Sequence, residues 1–332
     1  MEYISRFVIE EKNLIHCVGV MELYRDLKDI PSPFQRAVVT IGNFDGVHLG
    51  HQLLFREVVE RARQSDGTSV VVTFNPHPLK VLRPDGIKLI SSTEQKIELI
   101  RQAGIDVLVV IPFDRDFAKT PALEFVDNIL IGTIGVSDLV VGYDYCFGRG
   151  REGNIDFLRQ QGRKNGFPVT VVEAHYENDV LVSSTKIREL VTEGRMRDVR
   201  TLLGRYYQIH GEVQLGRQRG GKEVGFPTAN LKISEDDLCP KRGVYVTQVL
   251  YDNKVYGGVS NIGCNPTFGE TKLVAETHIF DFDDDIYGHS IKINLLQHLR
   301  GEKKFASVTE LSKQIRLDIE VARKVLARAS KG

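Results

Sequence analysis

The sequence predicts an α/β doubly wound parallel-sheet domain, followed by a small antiparallel β-barrel domain with a C-terminal helix. The chain has 332 residues, which is long for one hydrophobic core. Strand patterns alternate with helical patterns in the first part, which is typical of a parallel sheet. Beyond about residue 206 short strand patterns are separated by turn residues, and the last segment has apolar residues at helical spacing.

The expected organisation has four parts. Residues 1–20 form an extension of mixed charge, to which we assign no structure. The first domain is expected over residues 21–185 and the second over residues 206–330, with helices in the linker at 186–205.

Composition excludes several classes of protein. Lys plus Arg and Asp plus Glu are both 44, so there is no basic excess for binding nucleic acid. No apolar run approaches the ~18 residues of a membrane span. The four cysteines are scattered without a CxxC pair, which favours a cytoplasmic location. The composition leaves open whether the chain forms an oligomer.

The elements of the first domain follow in order. Strands are predicted at 37–41, 69–74, 107–111, 138–141 and 169–172. Helices are predicted after Gly50, at about 92–103, near 121–131 and at 154–166. In such sheets ligands bind at the carboxyl ends of the strands, so the segments that follow strands are the candidate sites.

The first of these segments is residues 42–51, Gly-Asn-Phe-Asp-Gly-Val-His-Leu-Gly-His, here called the glycine turn. It joins a strand to a helix, as in phosphate-binding α/β proteins, and glycines let the backbone approach an anion. The candidate nucleotide- and phosphate-binding residues are Gly42, Asn43, Phe44, Asp45, Gly46 and Gly50. His48 and His51 are three apart at the helix start, where two imidazoles could stabilise charge on a cleaved phosphoanhydride. A glycine turn that binds no ligand is the alternative. A zinc site is set aside, because the neighbouring residues do not complete a zinc ligand set.

Two further segments follow predicted strands. His77 stands between two prolines and is therefore held rigidly, although a lone histidine is often only a satisfied polar residue. Asp144 lies in Gly-Tyr-Asp-Tyr-Cys-Phe-Gly at 142–148 and could bond a base or a sugar. An Asx turn between glycines is the alternative.

Residues 183–189, Ser-Ser-Thr-Lys-Ile-Arg-Glu, predict the start of a further helix. Ser184 and Thr185 would offer hydroxyls and free N–H groups, and Lys186 and Arg188 could clamp a polyphosphate. Taken alone, the string also fits an ordinary capped helix.

Strands of the second domain are predicted at 207–213, 243–251, 254–259, 273–282 and 290–296, with a hairpin at Asp252-Asn253. Residues 216–223 nearly match a phosphate-binding Walker A loop, but Glu223 stands where Ser or Thr would ligate Mg²⁺, so that reading is rejected. Thr228 and Asn230 are two apart on an extended segment and therefore share a face. Oxygen donors of this kind suit Mg²⁺ on nucleotide phosphates. Glu276, on a later strand, is a candidate general base.

These strings together resemble the family of bacterial bifunctional riboflavin kinase/FAD synthetases. The glycine turn resembles the HxGH signature of nucleotidyltransferases, 183–188 resembles SSTxIR, and 225–230 matches GxPTAN of riboflavin kinases. Residues 260–268, 276–282 and 299–305 resemble further strings of the kinase domain. The resemblance covers about residues 21–326, with the motifs in the family's order.

The resemblance implies a nucleotidyltransferase domain that adenylylates FMN to FAD, and a barrel that phosphorylates riboflavin with ATP and Mg²⁺. It implies catalytic roles for His48, His51, Arg188 and Glu276 and metal ligation by Thr228 and Asn230. It also implies flavin contacts from His77, Asp144, Arg300 and Phe305. Phosphate-binding glycines Gly216 and Gly225 complete the expected set, with Ser184 and Thr185.

Two other functions stay open on the sequence. The barrel could be a flavin-binding regulatory module, although such a module needs no general base. The first domain could adenylylate another phosphorylated acceptor, such as a pantetheine or nicotinate nucleotide, which leaves the barrel unexplained.

Overall fold

The computed structural model describes residues 20–83, 85–214, 226–267 and 270–329, with only the backbone at 265–267 and 270–272. Residues 1–19 of the predicted extension lie outside this part, as do Gly216 and Gly225. The chain divides into two compact units. The first unit runs to Ile87 and continues over Ser91–Ser183; the second contains Lys88–Ile90 and continues from Ser184.

The first unit contains a six-stranded parallel sheet, as predicted. Its strands are β1 (Glu22–Tyr24), β2 (Ala37–Ile41), β3 (Ser69–Asn75), β4 (Val107–Pro112), β5 (Val136–Gly142) and β6 (Val169–Val172). Their spatial order is β1-β4-β3-β2-β5-β6. The chain builds outward from β2 through β3 and β4, then returns to the other side of β2 with β5. The sheet therefore has its topological switch point between β2 and β5.

Helices cover both faces of this sheet. They are α1 (Leu49–Gln64), α2 (Pro78–Leu82), α3 (Thr93–Gln102), α4 (Ala122–Glu124, continued by a π-helix at Phe125–Ile134) and α5 (Ile155–Asn165). Alternate strand residues enter two apolar cores: Val39 packs with Phe125 and Leu158 in one, and Val38 with Phe55 in the other. This two-sided core explains the continuous Val- and Ile-rich strands.

Several details differ from the prediction. The helix expected near 121–131 is mostly π-helical and extends to Ile134, where Gly135 ends it with a φ of 76°. Strand β1 and the small hairpin of β7 (Tyr176–Glu177) and β8 (Val180–Leu181) were not predicted. Each is only two or three residues long, which is too short for a periodic pattern.

The second unit contains a closed antiparallel barrel, as predicted. It begins with the helices α6 (Ser184–Glu193) and α7 (Met196–Leu203). The barrel strands are β9 (Tyr207–Gln214), β10 (Ala229–Lys232), β11 (Gly243–Tyr251), β12 (Lys254–Thr267), β13 (Glu270–Ile279) and β14 (Ser290–Arg300). Around the barrel their order is β10-β13-β12-β11-β14-β9. The expected hairpin joins β11 to β12 through Asp252 and Asn253, both with positive φ.

The terminal helix α8 (Val308–Ala329) packs on the barrel with the predicted apolar face. Ala322 is fully buried, and Ile319 and Leu326 are partly buried. Val308, which the pattern assigned to the same face, is 49% exposed because it lies at the first turn of the helix. Within the residues that the structure describes, no helix has the length and apolar character of a membrane span.

Candidate active sites

The glycine turn lies at the switch point of the sheet, directly after β2. Phe44, Gly46 and Val47 have positive φ values of 48°, 81° and 40°, so the backbone reverses sharply before α1 begins. Gly42 has no room for a side chain, because a Cβ there would lie 2.8 Å from the ring of Phe44. This ring is only 2% exposed and packs edge-on against Phe55. Phe44 therefore supports the turn from within the core, and only its backbone can face a phosphate.

The two histidines of the turn are stacked at the N-terminus of α1. Their ring centroids are 3.5 Å apart and the ring planes differ by 19°. His48 is the N-cap residue, and its Nδ1 accepts a hydrogen bond of 3.4 Å from the backbone N–H of His51. The rings of Phe44 and His51 are nearly perpendicular, with centroids 5.2 Å apart. Both imidazoles are thus fixed where the helix dipole favours negative charge.

The carboxylate of Asp45 contributes to the frame of the turn. It is 3% exposed, and its Oδ1 accepts from the N–H of Ser91 at 3.2 Å. Ser91 returns a bond, since its Oγ accepts from the N–H of Gly46 at 3.1 Å. This reciprocal pair holds the middle of the turn to the segment before α3.

Lys96 is a second support for the turn. It is 7% exposed, and its ammonium lies within hydrogen-bond distance of the Asn43 carbonyl. Sequence reasoning missed both Ser91 and Lys96. The available signal was a lysine directly before Ile97, on the apolar face of a helix whose other buried residue is Ile100.

The other predicted residues of the first unit lie at the carboxyl edge of the sheet. His77 follows β3, is 8% exposed and caps α2, with its Nδ1 accepting from the N–H of Leu79 at 3.1 Å. Asp144 follows β5 and is exposed. Because β2 and β5 are neighbours, Asp144 and the glycine turn flank the same switch point.

The Ser-Ser-Thr-Lys-Ile-Arg string belongs to the second unit from Ser184 onward, and α6 begins at Ser184. The Arg188 guanidinium donates from Nε to the carbonyl of Lys88 at 2.9 Å. Lys186 forms an ion pair with Glu189 at 2.9 Å. Thr185 is exposed at the first turn, and Ile187 is fully buried and anchors the helix.

The barrel brings Asn230 and Glu276 together. They are register partners on β10 and β13, and Glu276 is also paired with Asn261 on β12. Directly paired residues on antiparallel strands have Cβ atoms ~5 Å apart, so these three side chains form a row across one face. The neighbouring pair Ser260 and Thr277 is fully buried on the opposite, inner face. The Asn230–Glu276 row therefore lies on the outer, partly exposed face.

Thr228 precedes β10 by one residue and lies beside this row. Its carbonyl accepts from Nδ2 of Asn230 at 3.2 Å, which turns the amide oxygen of Asn230 away from that carbonyl. Thr228 and Asn230 thus offer a hydroxyl and an amide oxygen next to a carboxylate. Such hard, oxygen-only donors fit Mg²⁺.

Arg300 ends β14 and forms an ion pair with Asp318 on α8. Its Nη2 donates to Oδ2 at 2.8 Å and its Nε contacts both carboxylate oxygens at 3.1 and 3.2 Å. The guanidinium carbon lies 5.8 Å from the ring centroid of Phe305. The pair fixes the start of the loop that carries Phe305, the other flavin contact predicted in the barrel.

The fold and these candidate sites define the class: a two-domain, nucleotide-using transferase with a parallel-sheet domain and a barrel domain. Residues 30–186 match the family model described as FAD synthetase, and residues 203–326 match the model described as riboflavin kinase. The order of these two matches is the order that the motifs predict.

Curated relatives agree over nearly the whole chain. A bifunctional riboflavin kinase/FMN adenylyltransferase of Buchnera aphidicola is 36% identical over 92% of this chain and 98% of that protein. The Escherichia coli K12 protein of the same description is 35% identical over 91% of this chain and 97% of that protein. A crystal structure described as a macrolide-efflux protein from Streptococcus pneumoniae matches with a TM-score of 0.81 and 32% identity, covering 92% of this chain and 99% of that chain.

The chain belongs to the bifunctional riboflavin kinase/FMN adenylyltransferase family, which confirms the family prediction. It is an enzyme with two activities: the C-terminal domain phosphorylates riboflavin to FMN, and the N-terminal domain adenylylates FMN to FAD. Riboflavin, FMN and ATP are its small-molecule substrates.

Proposed function

We propose that adenylyl transfer takes place at the glycine turn and that riboflavin phosphorylation takes place at the outer row of the barrel. The proposal includes the domain bounds 21–185 and 206–330 and the helical linker 186–205. The observation that carries it is the stacked pair of His48 and His51, fixed at a helix N-terminus at the switch point. Ligands bind at such points in open α/β sheets.

In the adenylyl transfer step, a phosphate oxygen of FMN attacks the α-phosphorus of ATP and pyrophosphate leaves. The attacking phosphate is already an anion, so the step needs no protein base. Positioning and charge stabilisation supply the catalysis. His48 and His51 donate to the developing charge, and the backbone of Gly42–Gly46 and Gly50 binds the ATP phosphates. In the second unit, Arg188 keeps the catalytic role, and Ser184 and Thr185 the phosphate-binding role, that the family resemblance implies. Gly216 and Gly225 are assigned to the phosphates of the kinase substrate.

The flavin contacts are assigned from the type of each side chain and its exposure. Asp144 is exposed beside the switch point, where it can accept a hydrogen bond from the flavin or its ribityl chain. His77 is mostly buried and shapes this edge through its cap on α2. In the barrel, Phe305 supplies a flat apolar face for the flavin ring, and Arg300 holds its loop.

In the kinase step, Glu276 accepts the proton of the riboflavin 5′-hydroxyl while that oxygen attacks the γ-phosphorus of ATP. The direct pairing of Glu276 with Asn230 supports this role, because it sets the base beside the metal-binding oxygens. Thr228 and Asn230 would hold Mg²⁺ on the ATP phosphates, where the ion neutralises charge on the transferred group.

Separate substitutions in the two halves test the proposal. His51→Ala should abolish FAD formation from supplied FMN and ATP, while FMN formation from riboflavin persists. Glu276→Gln should abolish FMN formation while supplied FMN is still adenylylated. Loss of both reactions in either folded variant would show that the two-site assignment is wrong.

A further inference from the structure

Lys96 is a charged side chain in the interior of the first unit. Helix α3 begins with a capping box: Ser92 Oγ accepts from the N–H of Gln95, and Gln95 Oε1 accepts from the N–H of Ser92. This double cap fixes the first turn of the helix, and Lys96 follows immediately. Its side chain is therefore aimed into the unit by a well-defined helix start.

The Lys96 ammonium has three donors and three acceptors within reach. Nζ lies 3.2 Å from the Asn43 carbonyl, 3.1 Å from the Thr73 hydroxyl and 3.3 Å from the Phe74 carbonyl. The Thr73 hydroxyl also donates to the Asn43 carbonyl at 3.2 Å. Asn43 belongs to the glycine turn, and Thr73 and Phe74 belong to the end of β3. One cation thus joins the carboxyl ends of two adjacent strands.

Burying an ammonium group carries a large free-energy cost of desolvation, even where the group donates to buried oxygens. Burial lowers the pKa of Lys96 to about 8, and the nearby carboxylate of Asp45 opposes that lowering. A neutral donor would carry no such desolvation cost. The cation therefore holds a particular arrangement of the turn rather than adding packing to the core.

We propose that Lys96 is a positioning residue for adenylyl transfer. It holds the Asn43 end of the glycine turn against β3 and so fixes the orientation of His48 and His51. It does not touch the reacting atoms. This inference rests on the proposed function, since it assumes that the glycine turn is the adenylyl transfer site.

Deprotonation of Lys96 should make the rate of adenylyl transfer depend on pH. The neutral amine keeps two N–H donors for its three neutral acceptors, so one contact of the turn or of β3 is lost. Asp45 on the turn is the charged group that acts on Lys96. The kcat for FAD formation should therefore fall as the pH rises through about 8.

The experiment compares Lys96→Met, Lys96→Arg and a control, Lys164→Met, at an exposed lysine in the last turn of α5. FAD formation from FMN and ATP is measured between about pH 6.5 and 9.5, and riboflavin phosphorylation is measured in the same samples. Lys96→Met should lower kcat for FAD formation by ~10-fold or more, with KM for FMN and ATP changed by less than ~3-fold. Lys96→Arg stays charged, so it should retain more activity than Lys96→Met and lack the decline near pH 8. Lys164→Met and all kinase rates should match the wild type.

Three results would overturn the proposal. The first is a Lys96→Met variant with the wild-type kcat and pH profile, while His51→Ala is inactive; the adenylyl site would then stand without Lys96. The second is a Lys96→Met variant that loses riboflavin kinase activity to the same extent as FAD formation, which indicates general damage to the fold. The third applies if Lys96→Met does not fold: a decline near pH 8 that persists in Lys96→Arg shows that another group titrates. If His51→Ala is also fully active, the assignment of the adenylyl site itself fails.

Discussion

The glycine turn depends on its interior as much as on its glycines. Phe44 has a positive φ and a ring in the core, so one residue both bends the backbone and anchors it. Gly42 leaves space for that ring, and Asp45 fixes the middle of the turn through Ser91. The geometry of the glycine turn is therefore built from buried contacts on the core side of its backbone.

Gly42→Ala should damage adenylyl transfer alone. The added methyl would lie 2.8 Å from the Phe44 ring, which is buried and has no room to move. A shift of the turn by about 1 Å is enough to reduce kcat for FAD formation by ~100-fold. The control is Gly211→Ala in β9, where the methyl meets Leu231 at an ordinary 3.7 Å. Rates of FAD and FMN formation check both variants; full FAD formation by Gly42→Ala would contradict the packing argument.

Lys96 should make the free energy of unfolding of the first domain vary with pH in the alkaline range. Its folded pKa of about 8 is below the ordinary 10.5, so between these values the unfolded chain binds more protons. The free energy of unfolding should therefore rise with pH in this window, by roughly 3 kcal/mol at full effect. Urea unfolding of the wild type and of Lys96→Met at several pH values measures this difference. An unchanged difference between the two across the window would refute the burial argument.

Single residues differ in how well the sequence predicts them. The spacing of His48 and His51 at a helix start predicts that they face the same side, as they do. Asn230 lies on a segment predicted to be extended and Glu276 on a predicted strand, but their pairing is seen only in the structure. The support from Ser91 and Lys96 could not be predicted, because it joins segments about 50 residues apart. Their partners depend on sheet order, which a sequence pattern does not specify.

At the scale of elements, strong periodicity predicted the structure well. Strand β11 has the predicted bounds, and helices α3 and α5 begin within one residue of them. The caps at Ser92 and Asn154 explain this agreement, since a side-chain cap marks the helix start in the sequence. Strand β1 was missed because only its pairing with β4 makes its three residues a strand.

Helix α8 is held to the barrel by the ion pair between its buried Asp318 carboxylate and Arg300 of β14. The Asp318 side chain is 7% exposed, and its Oδ2 accepts from Arg300 at 2.8 Å. Gln314, one turn earlier, also donates to Asp318 at 3.0 Å. This arrangement ties α8 to the start of the loop that carries Phe305.

Asp318→Ala should destabilise the second domain by roughly 3 kcal/mol, because it leaves the Arg300 guanidinium without its carboxylate in a largely buried position. The measurement is urea unfolding followed by the loss of riboflavin kinase activity. The matched control is Arg323→Ala, on the same helix, which breaks an exposed two-bond pair with Asp281 and should have a small effect. Equal urea midpoints for the two variants would contradict the claim that the buried ion pair stabilises the domain more than the exposed one.

At the scale of the whole molecule, the order of motifs along the chain predicted both domains and their activities. The grouping of α6 and α7 with the barrel was not apparent from the sequence, where they looked like a linker. A helix pattern reports its apolar face but not the partner that covers that face. The long-range packing of these helices is therefore information that only the structure supplies.

Removal of divalent metal should stop riboflavin phosphorylation. Thr228 and Asn230 provide only two oxygen ligands, so the proposed Mg²⁺ depends on ATP for further ligands and should leave readily with a chelator. FMN formation should fall to background with excess EDTA and return when Mg²⁺ is added. Undiminished FMN formation in EDTA would exclude the proposed metal role.

Mixing two variants tests most directly whether one chain holds two separate sites. His51→Ala and Glu276→Gln are each incubated alone, and then together, with riboflavin, ATP and Mg²⁺, and the flavins are separated by chromatography. Neither variant alone should make FAD: the first should accumulate FMN and the second should leave riboflavin unchanged. The mixture should make FAD after a lag, because FMN made at one chain's barrel is adenylylated at the other chain's glycine turn. A mixture of folded variants that yields no FAD would contradict the division of the two reactions between these sites.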